Sequence, residues 1–266
     1  MSCEQCTQGY VVAGEPTGTM VDGAYFRAGP EGSDASKAVV IVTDIYGLPL
    51  KNCKIIADEL SKRVGCDVWV PDLFAGNPPL SVEQLGPLTP DRPGQKMGLG
   101  AKLRFFLILL THGYKLFGIR ASVVDPRAAE FVTKIKKEKG YQKVGAAGYC
   151  FGGSMTVRLG STDLFSSVVI LHPGAVTAEQ MKAIKTPASW ACAEDDMTFT
   201  KSLRDQAEAI FAARKDKPDY IDYEFKDYKG TCHGFAARPN LAIPEIVEAY
   251  NGALEQVAVW FQKTLQ

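Results

Sequence analysis

The sequence predicts an α/β fold with a mostly parallel central sheet and helices on both faces. Short apolar runs bounded by turn residues, such as AVVIVT at 38–43, are typical of strands buried on both faces. These runs alternate along the chain with segments whose apolar residues recur at helical spacing. Strands joined through helices pair in parallel, so the alternation indicates a sheet covered by its own connections. We expect a single domain spanning residues 1–266.

The first elements of the chain are short. Extended runs at Tyr10–Val12 and Gly23–Arg27, separated by turn residues, predict a small antiparallel start. A buried strand follows at Ala38–Thr43, then a helix at Leu50–Val64 and a second buried strand at Asp67–Val70. The strand–helix alternation therefore begins at the buried strand Ala38–Thr43.

The second half of the chain continues the alternation. The predicted elements are the helix Val123–Lys139, the strand Lys143–Tyr149, the helix Gly152–Leu159, the strand Ser167–Leu171, the short helix Ala178–Ile184, the strand Ala188–Ala193, the helix Thr200–Lys215, the strand Ile221–Phe225 and the helix Ile246–Leu265. The last helix is amphipathic, so we expect one of its faces to pack on the sheet.

A proline-rich loop and an apolar helix form an insertion at about residues 74–120. Its first part, 74–100, holds five of the fifteen prolines, and an apolar helix at about Leu99–Phe117 follows. Loops of this length in compact domains are usually functional or disordered. One hypothesis places the insertion over the carboxyl edge of the sheet, where it shapes a ligand pocket. In the other, its apolar helix packs on the core or on the second subunit of a homodimer.

Composition and charge exclude several classes of function. Thirty basic and thirty acidic residues give a formal charge of zero, which argues against general nucleic-acid binding. The first ten residues lack the basic and apolar regions of a secretory signal, and the longest apolar run, Phe105–Leu110, is too short to span a bilayer. We therefore expect a soluble cytoplasmic protein whose seven cysteines are mostly free thiols.

Cys3 and Cys6 have the spacing of a metal or redox pair. No second Cys-x-x-Cys or Cys/His pair completes a four-ligand zinc site. The pair also does not begin a helix after a strand, as a thioredoxin-like motif would. The sequence thus predicts neither a metal nor a cofactor.

The segment KVGAAGYCFGG at 143–153 carries the strongest chemical signal. It places Cys150 between Gly148 and Gly152, where a predicted strand ends and a helix begins. This is the pattern of a nucleophile elbow, a strained turn that presents a catalytic side chain, with cysteine in the place of serine. Glycines are needed because side chains would collide across the turn, and the helix N-terminus favours a thiolate. The alternative is an inert buried cysteine.

Chain order selects a base and narrows the choice of acid. A triad built on such an elbow runs in the order nucleophile, acid, histidine. Of the three histidines, His112 precedes the elbow and His172 comes too early for this order, which leaves His233 in KGTCHGFA. The acid is expected just beyond the strand Ala188–Ala193. The candidates there are Glu194, Asp195 and Asp196.

Five motifs together resemble the dienelactone hydrolase family of α/β-hydrolases, the carboxymethylenebutenolidase-like proteins. They are TDIYG at 43–47, VPDLF at 70–74, GYCFGG at 148–153, AEDDMTF at 193–199 and HGFAAR at 233–238. The resemblance runs from about Gly23 to the end of the chain and implies the α/β-hydrolase fold. The N-terminal CEQC and residues 80–117 are not explained by the family core.

The resemblance also implies a Cys-Asp-His triad. It makes Cys150 the nucleophile and His233 the base, with Asp196 as the carboxylate that orients His233 and Asp195 as the alternative. The implied reaction is hydrolysis of a small ester or lactone, possible substrates including dienelactone-like compounds. In this reaction the Cys150 thiolate attacks the carbonyl, and His233 protonates the leaving alkoxide and then activates water.

Four further positions take their roles from the resemblance. The oxyanion hole is expected at the backbone N–H groups of Ile45 and Phe151. Asp44 and Arg238 are expected to bind substrate. Asp44 stands where bacterial members carry a glutamate that helps regulate the cysteine, and Arg238 lies one residue beyond the family's anion-binding arginine.

Two other functions are alternatives to hydrolysis by Cys150. One is a non-catalytic redox- or ligand-sensing protein that retains the fold, in which Cys232 pairs with an oxidised Cys150. The other is a lipase that uses the apolar insertion at membranes. The cysteine nucleophile and the lack of a basic amphipathic stripe count against this lipase.

Overall fold

An eight-stranded sheet forms the centre of the computed structural model, which describes residues 10–266. The strands are β1 (Thr19–Val21), β2 (Ala24–Arg27), β3 (Lys37–Val42), β4 (Asp67–Val70), β5 (Lys143–Tyr149), β6 (Ser167–Leu171), β7 (Ala188–Asp195) and β8 (Tyr223–Cys232). Their order across the sheet is β1-β2-β4-β3-β5-β6-β7-β8. Strands β1 and β2 run antiparallel to their neighbours, and the other strands run parallel.

Helices occupy most of the connections between these strands. They are α1 (Asn52–Val64), α2 (Val82–Leu85), α3 (Leu99–Leu116), α4 (Ala121–Lys139), α5 (Phe151–Leu159), α6 (Ala178–Ala183), α7 (Lys201–Ala212) and α8 (Pro244–Thr264). Across residues 10–266, no helix combines the length and apolar character needed to cross a bilayer. Cys3 and Cys6 lie outside the described residues.

Strand β3 shows how one strand supplies both cores. Val39 and Ile41 belong to the core formed with α1 and α8. Val40 and Val42 belong to the core formed with α4 to α7. Successive side chains leave a strand on opposite faces, so a strand between two helical layers must be apolar throughout. The predicted α/β fold with helices on both faces of the sheet is confirmed.

Three predicted elements differ from the structure. Residues 10–12 contain no strand, and the antiparallel start is instead the hairpin of β1 and β2. Strand β7 passes the predicted end at Ala193 through a register irregularity, and β8 continues well beyond Phe225. Strand β8 lies at the edge of the sheet and is only partly buried, so its polar residues interrupt the apolar pattern.

The insertion lies against the carboxyl edge of the sheet. Leu85 and Ile108 pack in one apolar cluster with Tyr46, which lies in the loop after β3. The Gly94 N–H donates a hydrogen bond of 2.9 Å to Asp195 at the end of β7. The insertion therefore contacts the edge at which the predicted site residues collect.

Candidate active site

Cys150 lies in the turn between β5 and α5 with a strained backbone. Its φ is 53° and its ψ is −111°, a combination that few residues other than glycine adopt. A Cβ atom at Gly152 would collide with the carbonyl oxygen of Val42, and one at Gly148 would collide with Thr156. Both flanks of the turn therefore require glycine, as the elbow pattern predicts.

Hydrogen bonds connect Cys150, His233 and Asp196 in a chain. The Cys150 Sγ lies 3.0 Å from His233 Nε2, and His233 Nδ1 lies 2.8 Å from Asp196 Oδ2. Cys150 follows β5, Asp196 follows β7 and His233 follows β8. Because these strands are parallel, their carboxyl ends share one edge of the sheet, and residues far apart in sequence meet there.

The other two acidic candidates point away from His233. Asp195 and Glu194 are exposed. Asp195 accepts the backbone N–H of Gly94, and Glu194 accepts that of Gly230 at 2.6 Å. These two carboxylates therefore bind backbone N–H groups of the insertion and of β8, whereas Asp196 is buried against the histidine.

Four hydrogen bonds hold the Asp196 carboxylate. Besides the contact with His233, its Oδ1 accepts the N–H of Thr198 at 2.8 Å, the N–H of Phe199 at 3.0 Å and the Thr198 hydroxyl at 2.7 Å. Burial by itself raises the pKa of Asp196, but the hydrogen bonds and the charge of His233 lower that pKa below its usual range. Asp196 is therefore an ionised and firmly oriented partner of the histidine.

The charges around His233 keep its ring protonated. Burial by itself lowers the pKa of His233. The negative charge of Cys150 and the hydrogen bonds to Asp196 and Cys150 outweigh this effect and raise the pKa to about 10. The side chain is thus an imidazolium at neutral pH, paired with the Asp196 carboxylate.

The raised pKa of His233 predicts a pH dependence of stability. A histidine whose pKa is higher in the folded chain stabilises the fold when protonated. This contribution is complete below the ordinary pKa of about 6.5 and is lost as the pH rises through about 10. We expect the free energy of unfolding, measured with urea, to fall across that interval more steeply in the wild type than in His233→Gln. Equal slopes would contradict the ion-paired histidine.

Ile45 and Phe151 present backbone N–H groups on adjoining segments. The Gly152 N–H donates to the Thr43 carbonyl at 3.0 Å and so holds the start of α5 against the loop after β3. Phe151 is the first residue of α5 and has no acceptor within that helix. Within residues 10–266, neither the Ile45 nor the Phe151 N–H has a hydrogen-bond partner. Both donors are free next to the elbow.

Asp44 and Arg238 form a buried ion pair. Arg238 Nε donates to Asp44 Oδ2 at 2.9 Å, and the two side chains are 5% and 1% exposed, respectively. Burial raises the pKa of Asp44, and the charge of Arg238 opposes that shift. The guanidinium also lies 4.8 Å from the centre of the Tyr46 ring. The structure therefore pairs Asp44 with Arg238, although the resemblance assigns each of them separately to substrate binding.

A small cavity of about 20 Å³ opens beside His233 and Arg238. Pro90 and Asp91 of the insertion form part of its wall, together with Asn240. Asn240 donates a hydrogen bond of 3.1 Å to Asp91, which links the insertion to the loop after β8. This volume holds about one water molecule and is far below the range for small-molecule sites. In the described part of the chain, no group of three or more His, Cys, Asp or Glu side chains is arranged to hold a metal ion.

Two residues at the site were missed or set aside by sequence reasoning. Thr198, which hydrogen-bonds Asp196, also places its hydroxyl 3.2 Å from His233 Nδ1. The Asp-x-Thr spacing, typical of a side-chain turn, is the signal that predicts such a contact. The buried ring of His172 packs against His233, with ring centres 5.2 Å apart. Burial lowers the pKa of His172, so this neighbour is neutral.

The dienelactone hydrolase family model matches residues 24–265. The chain belongs to this family. The match includes the elbow, the acidic turn and the histidine loop, and the predicted resemblance is confirmed. Membership of the dienelactone hydrolase family supports a carboxylic ester hydrolase that acts on small esters or lactones.

Named relatives agree with membership of the dienelactone hydrolase family, and solved structures share the fold. Hydrolase tropI of Talaromyces stipitatus is 28% identical and covers 98% of this chain and 96% of its own length. The carboxymethylenebutenolidase homolog of Homo sapiens is 25% identical, covering 77% of this chain and 73% of its own length. The dienelactone hydrolase of Anabaena variabilis has a TM-score of 0.58 at 11% identity, with 91% of this chain and 92% of that one covered. A thermostable esterase of Pseudomonas putida has a TM-score of 0.54 at 14% identity, with 91% and 79% covered.

Proposed function

We propose that this dienelactone hydrolase family member hydrolyses a small, uncharged carboxylic ester or lactone with Cys150 as its nucleophile. The observation that carries the proposal is the 3.0 Å contact between Cys150 Sγ and His233 Nε2 at a strained elbow. A cysteine beside an imidazolium and at a helix N-terminus is favoured as the thiolate, which is the nucleophilic form of the side chain.

Acylation begins when the thiolate attacks the substrate carbonyl. The new C–S bond forms as the carbonyl π electrons move onto oxygen, giving a tetrahedral oxyanion. The N–H groups of Ile45 and Phe151 are the proposed donors to that oxyanion, because both are free and flank the elbow. Such a donor typically contributes ~3 kcal/mol to transition-state stability.

Collapse of the tetrahedral species releases the alkoxide and leaves a thioester on Cys150. His233 Nε2 donates its proton to the departing oxygen, since it lies 3.0 Å from the sulfur that carries the acyl group. The neutral imidazole then takes a proton from water, which attacks the thioester. Release of the carboxylic acid restores the thiolate and the imidazolium.

Asp196 is the proposed orienting carboxylate in both half-reactions. Its 2.8 Å contact holds the proton on His233 Nδ1, so that Nε2 faces the sulfur and exchanges the catalytic proton. The three hydrogen bonds to the other carboxylate oxygen prevent rotation. Asp196 is therefore a positioning residue, whereas Cys150 and His233 react.

The charge distribution at the cavity supports an uncharged substrate. The positive charge of Arg238 is compensated by Asp44 within the protein, and Asp91 adds a further carboxylate to the wall. A substrate carboxylate would have to displace Asp44 from the guanidinium in a buried setting, which is costly. We therefore propose that Arg238 and Asp44 shape the cavity, and that the insertion closes one side of it.

The sensing alternative finds little chemical support at Cys232. Burial, followed by the charges of nearby acidic residues, raises the pKa of its thiol to about 12. A thiol that remains protonated is a poor partner for an oxidised Cys150, because disulfide formation requires a thiolate.

A paired turnover assay tests the proposed function. Small aryl esters and lactones are supplied with and without a carboxylate, and intact-protein mass spectrometry follows the acyl adduct. We expect turnover of the uncharged compounds and an acyl mass on Cys150. Faster turnover of the carboxylate compounds would overturn only the proposed preference for an uncharged substrate. Absence of any turnover or adduct would overturn the hydrolase proposal.

A further inference from the structure

Helix α3 carries a continuous apolar stripe on its outer face. The side chains of this α3 stripe are between 51% and 86% exposed. They are Leu99, Leu103, Phe106, Leu107, Leu110 and Tyr114. Successive residues of a helix are rotated by about 100°, so this spacing confines the stripe to an arc of about 100°.

The opposite face of α3 fixes the direction in which the stripe points. Ile108 is buried in the apolar cluster that contains Tyr46, and Ala101 and Phe105 pack against that cluster. The helix therefore packs on the preceding part of the insertion and on the loop after β3. Its stripe lies on the surface of the molecule, and large apolar patches of this kind usually mark an interaction site.

The segment that carries the α3 stripe has charges of a single sign. Residues 92–124 contain no Asp or Glu. The basic residues in this range are Arg92, Lys96, Lys102, Arg104, Lys115 and Arg120. Lys102 and Arg104 are exposed, and they directly precede and follow Leu103, so they lie about 100° to either side of it. The stripe is thus bordered by cations on both flanks.

We propose that α3 is a membrane-surface anchor that seats the α3 stripe in an anionic lipid bilayer. An exposed apolar face bordered by Lys and Arg is the pattern of helices that lie in the plane of the bilayer interface. The apolar side chains enter the acyl boundary, while the flanking cations remain at the level of the anionic headgroups. The proposal concerns the exposed face of α3 and does not depend on the proposed function.

A second copy of the chain is a less suitable occupant of the α3 stripe. Pairing two stripes would bring two basic segments together, with no acidic residue between positions 92 and 124 to compensate them. Like charges in such proximity oppose association. Anionic headgroups supply the compensating charge that a second copy lacks.

The structure corrects the expectation that the chain has no basic amphipathic stripe. In the sequence, the run at 105–110 reads as uniformly apolar and hides the periodicity. Only the packing of Ile108 and the exposure of Leu107 and Leu110 separate an inner from an outer face.

Vesicle flotation of the full chain tests the anchor. Vesicles of phosphatidylcholine alone are compared with vesicles that also contain phosphatidylserine, at low and high salt. We expect the wild type to float with phosphatidylserine vesicles, to bind phosphatidylcholine vesicles much more weakly, and to dissociate at high salt. The double variant Leu107→Glu/Leu110→Glu should bind at least about 100-fold more weakly, because two apolar side chains are lost from the interface.

A charge variant and a matched control complete the design. Lys102→Glu/Arg104→Glu should weaken binding at least about 25-fold, at about fivefold for each cation removed. Val259→Glu is the control, because Val259 is 52% exposed on α8 and outside the stripe. This variant should bind as the wild type does. Thermal unfolding and hydrolysis of a water-soluble ester check that each variant is folded.

Three results would overturn the proposal. The first is a wild type that does not float with phosphatidylserine vesicles at low salt. The second is equal binding by the wild type and the folded Leu107→Glu/Leu110→Glu variant. The third is a wild-type dimer, seen by light scattering, that this variant converts to a monomer, which would make a second copy the occupant of the α3 stripe.

Discussion

Cys150→Ala is expected to reduce kcat/KM for a small ester by about ten thousandfold or more. This loss corresponds to about 5 kcal/mol of transition-state stabilisation. The reason is that, within residues 10–266, the Cys150 sulfur is the only nucleophile in the hydrogen-bonded chain and lies 3.0 Å from His233 Nε2. Removal of the negative sulfur also withdraws a charge that raises the pKa of His233, so that pKa should fall in the variant.

The control for this variant is Cys66→Ala. Cys66 is as buried as a core residue, at 1% exposure, and it precedes β4 rather than lining the site. We expect this protein to retain the wild-type rate and the acyl adduct, whereas Cys150→Ala should show neither. Hydrolysis by folded Cys150→Ala at the wild-type rate would exclude Cys150 as the nucleophile.

Asp196→Asn is expected to lower kcat by about ten thousandfold while leaving the fold intact. The asparagine oxygen can still accept the N–H groups of Thr198 and Phe199, which directs its amide NH₂ toward His233 Nδ1. Nδ1 must then act as an acceptor, and the remaining proton moves to Nε2. With this tautomer the imidazole cannot take a proton at the atom that faces Cys150.

Asp195→Asn provides the matched control, because it makes the same chemical change one residue away. Asp195 is exposed and accepts the Gly94 N–H, so its loss should affect the contact with the insertion more than turnover. We expect near wild-type kcat for Asp195→Asn. In Asp196→Asn, an NMR titration should show a lowered pKa of His233. A large loss of kcat in Asp195→Asn with none in Asp196→Asn would transfer the orienting role to Asp195.

Local patterns were sufficient to propose Cys150 and His233 as nucleophile and base. The elbow glycines can be recognised in the sequence because each is required by a steric contact, either within the turn and its helix or with the neighbouring strand. Chain order then excludes His112 and His172 without any knowledge of distances. Both steps depend on short segments and on the order of elements, and both are properties that a sequence displays directly.

The choice between Asp195 and Asp196 depends on the end of β7. A shift of one residue along a strand turns a side chain to the opposite face. The register irregularity between Ala193 and Asp195 determines which carboxylate faces inward. The sequence does not show this irregularity, because it arises from pairing with β8, whose partner residues lie more than thirty positions later.

A contact between residues far apart in sequence also decides whether the charge of Arg238 is compensated. It and Asp44 are 194 positions apart, and each by itself has the character of a ligand-binding residue. Only the folded chain shows that they neutralise each other in a buried pair. The proposed preference for an uncharged substrate follows from this contact.

By itself, the sequence of this protein determined the α/β fold and the elbow at Cys150 and led to the proposal of His233 as the base, because periodicity and steric demands act over neighbouring residues. The tertiary structure decided three other properties: which carboxylate meets His233, how the charge of Arg238 is compensated, and which face of α3 remains exposed. Each of these depends on contacts between segments distant along the chain, and burial and pairing of this kind have no local signature.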